Sequence, residues 1–243
     1  MASAITHINK GIFFMKVKQV LLSATIIASL FLTGCDIEIA APIDVGKSVN
    51  EKEPFMEVGL MGIDVPSCKD SKTGDVSDSV YKLQSQVPFA LKGAKYIECK
   101  RSGFDSKAYL SIPMNFHYLN HGEKLKGYRE DQFNIITMSR PDGVDILAYT
   151  PKKLAKSINR LINSQHMFKR SDISMSFDLS NYDSYSKISF NSVYVNRHPV
   201  QEGSSNINGG EHLKVKIPTL GLDMLLSETS GGKNIFKILS LSK

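Results

Sequence analysis

The chain has 243 residues, with 30 Lys and Arg against 24 Asp and Glu, a formal charge of +6, three cysteines and no tryptophan. Residues 35–243, the part that follows an expected signal, suit one well-packed domain and are marginal for two. The positive balance is no nucleic-acid signature, because no basic block is interleaved with aromatics.

The chain opens with a secretory pattern. Met15-Lys16-Val17-Lys18-Gln19 is a charged n-region, and an apolar run from Val20 to Phe31 follows it. Leu32-Thr33-Gly34-Cys35 then forms a lipobox: small residues fit a narrow protease groove, and the next thiol can carry a diacylglyceryl group. The 13 uncharged residues from Val20 to Leu32 are too few for a membrane-crossing helix, which needs about 20. Residues 1–34 are expected to be a lipoprotein signal peptide, with Met15 as its true start and Cys35 as the lipidated first residue of the mature chain. Loss of Lys10, Lys16 and Lys18 with the signal brings the balance to about +3.

Residues 35–54 read as a lipid-anchored tether, polar and broken by Pro42, Gly46 and Pro54, although Ile37, Ile39, Ile43 and Val45 alternate well enough to pair at a sheet edge. Residues 55–243 are expected to form a single periplasmic α+β domain, a mainly antiparallel sheet of roughly eight to ten strands with two helices. Its first strand shows Met56, Val58 and Leu60 as one buried face.

With Cys35 committed to lipid, Cys68 and Cys99 are left in an oxidising compartment, which predicts a disulfide. The alternative is two buried free thiols. Between them Val76, Val80, Leu83 and Val87 have helical spacing, with Asp75 to cap the start and Pro88 to end the run.

Ala108, Leu110, Ile112, Met114, Phe116 and Tyr118 alternate as a long strand. His117, His121 and Glu123 make a ligand-like cluster near its end, but a third ligand at the right distance is unidentified, and solvated histidines are the plainer reading. Arg140-Pro141-Asp142-Gly143 predicts a hairpin between Phe133–Ser139 and Val144–Tyr149, with the glycine at positive φ.

The next helix is the clearest. Thr150 is placed to cap it, Pro151 to open it, and Leu154, Ile158, Leu161 and Ile162 form one stripe. Its other face carries Lys152, Lys153, Lys156 and Arg160, with Lys169 and Arg170 beyond, a pattern that fits either a solvated face or contact with anionic headgroups. Ile173, Met175, Phe177 and Leu179 alternate again, as do Leu213, Val215 and Ile217. The polar stretch from Asn196 to Gly210 reads as a loop of some 15 residues. Ser230-Gly231-Gly232-Lys233 reads as a turn joining the last two strands, because the spaced glycine and the magnesium-binding hydroxyl of a phosphate loop are missing.

Catalytic motifs fail in the same way. Lys72-Thr73-Gly74 and Ser184-Tyr185-Ser186-Lys187 stand in the reverse order for penicillin-binding enzymes, with no Ser-x-Asn element between them. His121-Gly122-Glu123 is not followed by the Pro-Cys-x-x-Cys of zinc deaminases. No catalytic, cofactor or metal residue is assigned.

The signal Met15 to Leu22, the Leu-Thr-Gly-Cys-Asp cleavage site and Val65-Pro66-Ser67-Cys68 resemble a group of enterobacterial lipoproteins carried on prophages, of the kind named YafY and YfjS. The resemblance implies an inner-membrane lipoprotein of unknown activity, palmitate on Cys35 and a periplasmic location. Asp36, next to the lipidated cysteine, resembles the signal that keeps such lipoproteins out of the outer membrane, and Ile37 weakens it. The favoured expectation is a non-enzymatic domain that binds an envelope protein or component; the alternative is an envelope hydrolase acting on wall or lipid. A cleft holding His117 or His166 beside a carboxylate or serine favours the enzyme, and a broad exposed apolar patch favours binding.

Overall fold

The computed structural model describes residues 36–125, 128–164, 169–207, 212–228 and 234–243. These residues form eleven strands, most of them with alternating apolar side chains: β1 (Ile37–Asp44), β2 (Phe55–Val65), β3 (Lys95–Ser102), β4 (Asp105–Leu119), β5 (Phe133–Arg140), β6 (Gly143–Tyr149), β7 (Ile173–Ser180), β8 (Lys187–Val195), β9 (His198–Asn206), β10 (Leu213–Ile217) and β11 (Ile235–Ser242). Four helices accompany them: α1 (Val45–Asn50), α2 (Asp78–Ala90), α3 (Lys152–Ser164) and α4 (Thr219–Leu225).

Nine strands close into a barrel in the order β1-β2-β4-β5-β6-β11-β8-β10-β7, and β7 returns to β1. β3 pairs with β4 and β9 with β8, both outside the ring. The β1–β7 and β4–β5 pairings are parallel and the others antiparallel. The expected sheet of eight to ten strands with two helices is thus a closed barrel with more helices. Alternation reports a half-buried strand but is silent on closure. Closure depends on β8, which pairs with β11 at Lys187–Ser189 and with β10 at Tyr194 and Val195. Between those pairings Ser192 has φ 53°, a left-handed residue within the strand, which pairs with β9 on either side of it.

The expected tether is instead the first stave and the helix after it. Ile37, Ile39, Ala41 and Ile43 are buried between β2 and β7, so the segment is a central strand rather than a linker or an edge. Asp44 caps α1 by accepting from the Lys47 N–H at 2.9 Å. Only the charged run after Asn50 remains as connection.

β2 faces the other way from the expectation. Met61, Ile63 and Val65 are buried, whereas Met56, Val58 and Leu60 are exposed. Gly59, on the inner face, leaves room that Met114 fills: a Cβ there would lie 2.8 Å from the Met114 Cε.

α2 starts two residues later than its apolar spacing suggests. Ser77, not Asp75, caps it, and Val76 is exposed and bridges to Lys69. Pro88 sits inside the last turn rather than ending the helix, which closes with the Leu91 N–H on the Val87 carbonyl. α3 keeps its predicted stripe but begins at Lys152, so Pro151 precedes the helix and Thr150 does not cap it; the buried Thr150 Oγ1 has no partner among the described residues, and the Thr150 N–H donates to the Asn234 carbonyl. The Pro141–Asp142 hairpin joins β5 and β6 as expected. Its Gly143 is not at positive φ; a Cβ would come 1.8 Å from the Leu241 carbonyl oxygen, so the residue is needed for close approach to β11.

The polar stretch from Asn196 forms β9 instead of a loop. Asn196 and Arg197 have φ 47° and 73°, the two positive angles of a tight hairpin turn between β8 and β9. The Ser230–Lys233 turn lies outside the described residues. The strands it was expected to join, β10 and β11, do not pair; α4 lies between them in the chain.

At the end where β1 begins, α2, α3 and α4 meet the inward side chains of β1, β2 and β7. There Val87, Ile158 and Leu225 join Ile37, Ile63 and Ile173 around an apolar cavity of about 40 Å³. Gly221 lets α4 approach, since a Cβ would lie 2.5 Å from Ile217 and 2.6 Å from Phe236. At the other end Val45 and Tyr182 are buried, and the Phe55 and Phe116 rings stack at 5.0 Å.

Candidate functional site

Cys35, the candidate lipidation residue, lies outside the described residues; Asp36, the candidate sorting residue, is the first described. The Asp36 N–H donates to Asp64 Oδ2 at 3.3 Å, and the Asp64 N–H donates to the Asp36 carbonyl at 3.0 Å. The backbone next to the cysteine is thereby tied to the end of β2. Among the described residues no helix is long and apolar enough to cross a membrane.

Cys68 and Cys99 are bonded, with Cα atoms 5.5 Å apart and 31 positions between them in sequence. The bond fastens the chain leaving β2 to β3, which flanks β4.

His117 is buried, not a solvated ligand. Its Nε2 lies 2.7 Å from Asn115 Nδ2 and 3.1 Å from Asn134 Oδ1. Asn134 also accepts from the Arg129 N–H and donates to the Arg129 and Gln132 carbonyls. These side chains point away from the barrel interior, and the chain from Tyr128 to Gln132 covers them, with Tyr128 set edge-on to Tyr149 at 5.3 Å. Burial holds His117 below the usual imidazole range, opposed by the bond to Asn134. Burial pushes the Tyr149 phenol up to about 12, assisted by Tyr128. His121 is exposed, and Glu123 closes its own turn by accepting from Asn120. Among the described residues no group of His, Cys, Asp and Glu could hold a metal ion. His166 lies outside them.

Lys152, Lys153, Lys156 and Arg160 are all exposed along α3. Lys169 is exposed beside them, but Arg170 is drawn into the fold through Asn159 Oδ1 at 2.8 Å. Lys72-Thr73-Gly74 is a turn in which both lysine and threonine N–H groups donate to Asp70 Oδ1 and Gly74 has φ 75°.

The apolar surface that the alternation of β2 misplaced is the site the sequence reading missed. Met56, Val58 and Leu60 are 49%, 63% and 42% exposed in one row on the barrel wall. Val58 faces the half-buried Pro113 on β4, and the exposed Pro42 of β1 lies on the same outer face. Both faces of β2 carry apolar residues, which is the signal that could have marked the strand as more than a core element.

A family model described as Domain of unknown function (DUF7424) matches residues 38–240, a span that runs from β1 into β11. No curated protein and no solved structure matches the chain.

Proposed function

The chain belongs to the family described as Domain of unknown function (DUF7424), and from that premise we propose a lipid-anchored envelope lipoprotein whose barrel is a non-enzymatic binding module. The lipobox Leu32–Cys35 supports the anchor, and Asp36 supports retention at the periplasmic face of the inner membrane. The likeness to prophage-carried lipoproteins supports a role in serving a prophage.

The bare row Met56-Val58-Leu60 carries the binding half of the reading. A soluble wall strand normally turns polar residues outward, and an uninterrupted apolar row there marks a surface that another protein covers. The barrel interior is filled by its own side chains, so the outer wall is what it offers a partner. An envelope protein with a complementary apolar ridge is the expected occupant.

Two measurements test this. Labelled palmitate should enter the wild-type protein and not Cys35→Ala, which should accumulate as precursor; Asp36→Ser should keep the label and move to the outer-membrane fraction. A photoreactive residue at position 58 should give one discrete adduct in cells, lost in Leu60→Lys, while the same residue at position 187 on β8 gives none. Equal adducts from both positions would remove the binding surface, and absence of palmitate would remove the anchor.

A further inference from the structure

We infer that the helix-covered end of the barrel, built by α2, α3 and α4, is a docking face for the anionic bilayer that holds the lipid anchor. This rests on the lipid-anchor reading but not on the wall row.

Chain length sets the first constraint. Cys35 precedes Ile37 by two residues, which span at most about 7 Å even when extended. Asp36 is bonded to Asp64 at both its N–H and its carbonyl, so no slack is added there. Acyl chains on Cys35 would therefore enter the bilayer beside the rim where β1 starts. That rim is the one the three helices cover, since Ile37 shares the apolar cavity with residues of all of them.

The outward faces of those helices have the composition of an interfacial surface. On α2, Leu83 and Val87 point inward, so Lys82 and Phe89, seven residues apart, share the opposite side. Phe89 is 92% exposed. On α3, Leu154, Ile158 and Ile162 are buried and the four cations stand opposite. On α4, Leu220 is 72% exposed and Met224 is exposed one turn later. A groove lined by Pro88, Phe89, Lys92, Asp131, Lys153 and Ser157 brings the aromatic ring of α2 together with the lysine just past its end and one lysine of α3.

Charge decides the occupant. The helices carry Lys82, Lys152, Lys153, Lys156 and Arg160 against Asp78 and Asp223, while Lys92 pairs with Asp131 and Arg170 engages Asp223, both at 3.5 Å. Two lysines in the first turn of α3 oppose its dipole, so they do not serve to stabilise its N-terminus. Anionic headgroups would offset this surplus of positive charge while Phe89 and Leu220 reach the acyl boundary, the arrangement by which cationic and aromatic side chains hold a protein at a membrane surface.

The chain has no tryptophan, so a single introduced indole reports its own surroundings. Full-length Phe89→Trp and Val58→Trp should be purified in detergent and reconstituted into phosphatidylglycerol-rich vesicles with brominated acyl chains. The indole of Phe89→Trp should shift to the blue and be quenched at least about twofold more than that of Val58→Trp. Adding Lys152→Gln, Lys153→Gln, Lys156→Gln and Arg160→Gln to Phe89→Trp should abolish the difference, as should neutral lipid or high salt. Circular dichroism on each variant checks that the barrel is intact.

Equal quenching at the two positions, or stronger quenching of Val58→Trp, overturns the docking face. Palmitate labelling separates the two readings: a labelled protein whose Phe89→Trp indole is not quenched keeps its anchor and loses the docking face. An unlabelled protein loses the anchor, and quenching of Phe89→Trp by anionic vesicles added from solution then decides docking alone.

Discussion

Neighbouring stretches of the barrel wall treat their outer faces in opposite ways. On β2 the outer row Met56, Val58 and Leu60 is apolar and bare, while on β4 and β5 the outer Asn115, His117 and Asn134 are polar and covered. Alternation is strict on β4, while on β2 the apolar residues change phase between Leu60 and Met61. It tells which side chains share a face, and what happens to that face depends on the chain that crosses it. A covered polar face must satisfy its hydrogen bonds within the protein, whereas a bare apolar face has no such demand and is left to be satisfied from outside.

The largest expected effect comes from the staple on the bare side. Cys68→Ala opens the link between the exit of β2 and β3, and loop-closure entropy then puts the loss at roughly 3 to 4 kcal/mol, a Tm lower by about 10 °C. Alkylation of the unreduced, denatured protein should label neither Cys68 nor Cys99. A variant with wild-type Tm would show that the bare side is held by packing alone.

On the covered side, Asn134→Leu strands Asn115, the Arg129 N–H and the Arg129 and Gln132 carbonyls at once. The expected cost is about 2 to 4 kcal/mol in urea unfolding. An unchanged midpoint would mean that the Tyr128–Gln132 segment does not depend on the cluster.

His117 sharpens the contrast through pH. Its folded-state pKa is held below the ordinary 6.5 by burial, so the unfolded chain takes up the proton first as pH falls. The stability this position contributes is fully present above about 6.5 and is lost as pH drops below it. Between pH 7.5 and 5.5, roughly, the Tm of wild type should therefore fall by a few degrees more than that of His117→Gln. Parallel curves would place the titrating group elsewhere.

The smallest stability effect belongs to the bare row. Leu60→Lys should change unfolding by no more than about 1 kcal/mol, yet remove the adduct formed from position 58. A large loss of stability would mean that the row is structural after all.

Much of the architecture is legible in the residues for identifiable reasons. β4, β7 and β10 keep strict alternation, α3 has a continuous stripe, and the Pro141–Asp142 turn is local chemistry. The pairing of Cys68 with Cys99 follows from having only two thiols to spare once Cys35 is assigned to lipid. What escaped was set at long range. β1 looks like a tether because Pro42 and the charges after it are seen without β7, which supplies its partner from beyond residue 170. The face of β2 cannot be told from its own residues, because both are apolar. α4 is short and carries Gly221, whose use is visible only against Ile217 and Phe236. The candidate site divides the same way: Cys35 and the cations of α3 are local patterns, while the exposed row and the company of Phe89 exist only once the barrel is closed.

The stave that completes the ring is the last one in the order of strands. β11 lies between β6 and β8, and the Lys243 N–H still donates to Asp142. During synthesis, every earlier strand therefore waits with the ring open until β11 has been made. β1 waits long for its own neighbour too, since its parallel partner β7 is separated from it by most of the domain. A polypeptide of this design reaches its native topology only once that final strand is available, and a truncation that removes it leaves a gap between β6 and β8 whose exposed edges invite pairing with other chains.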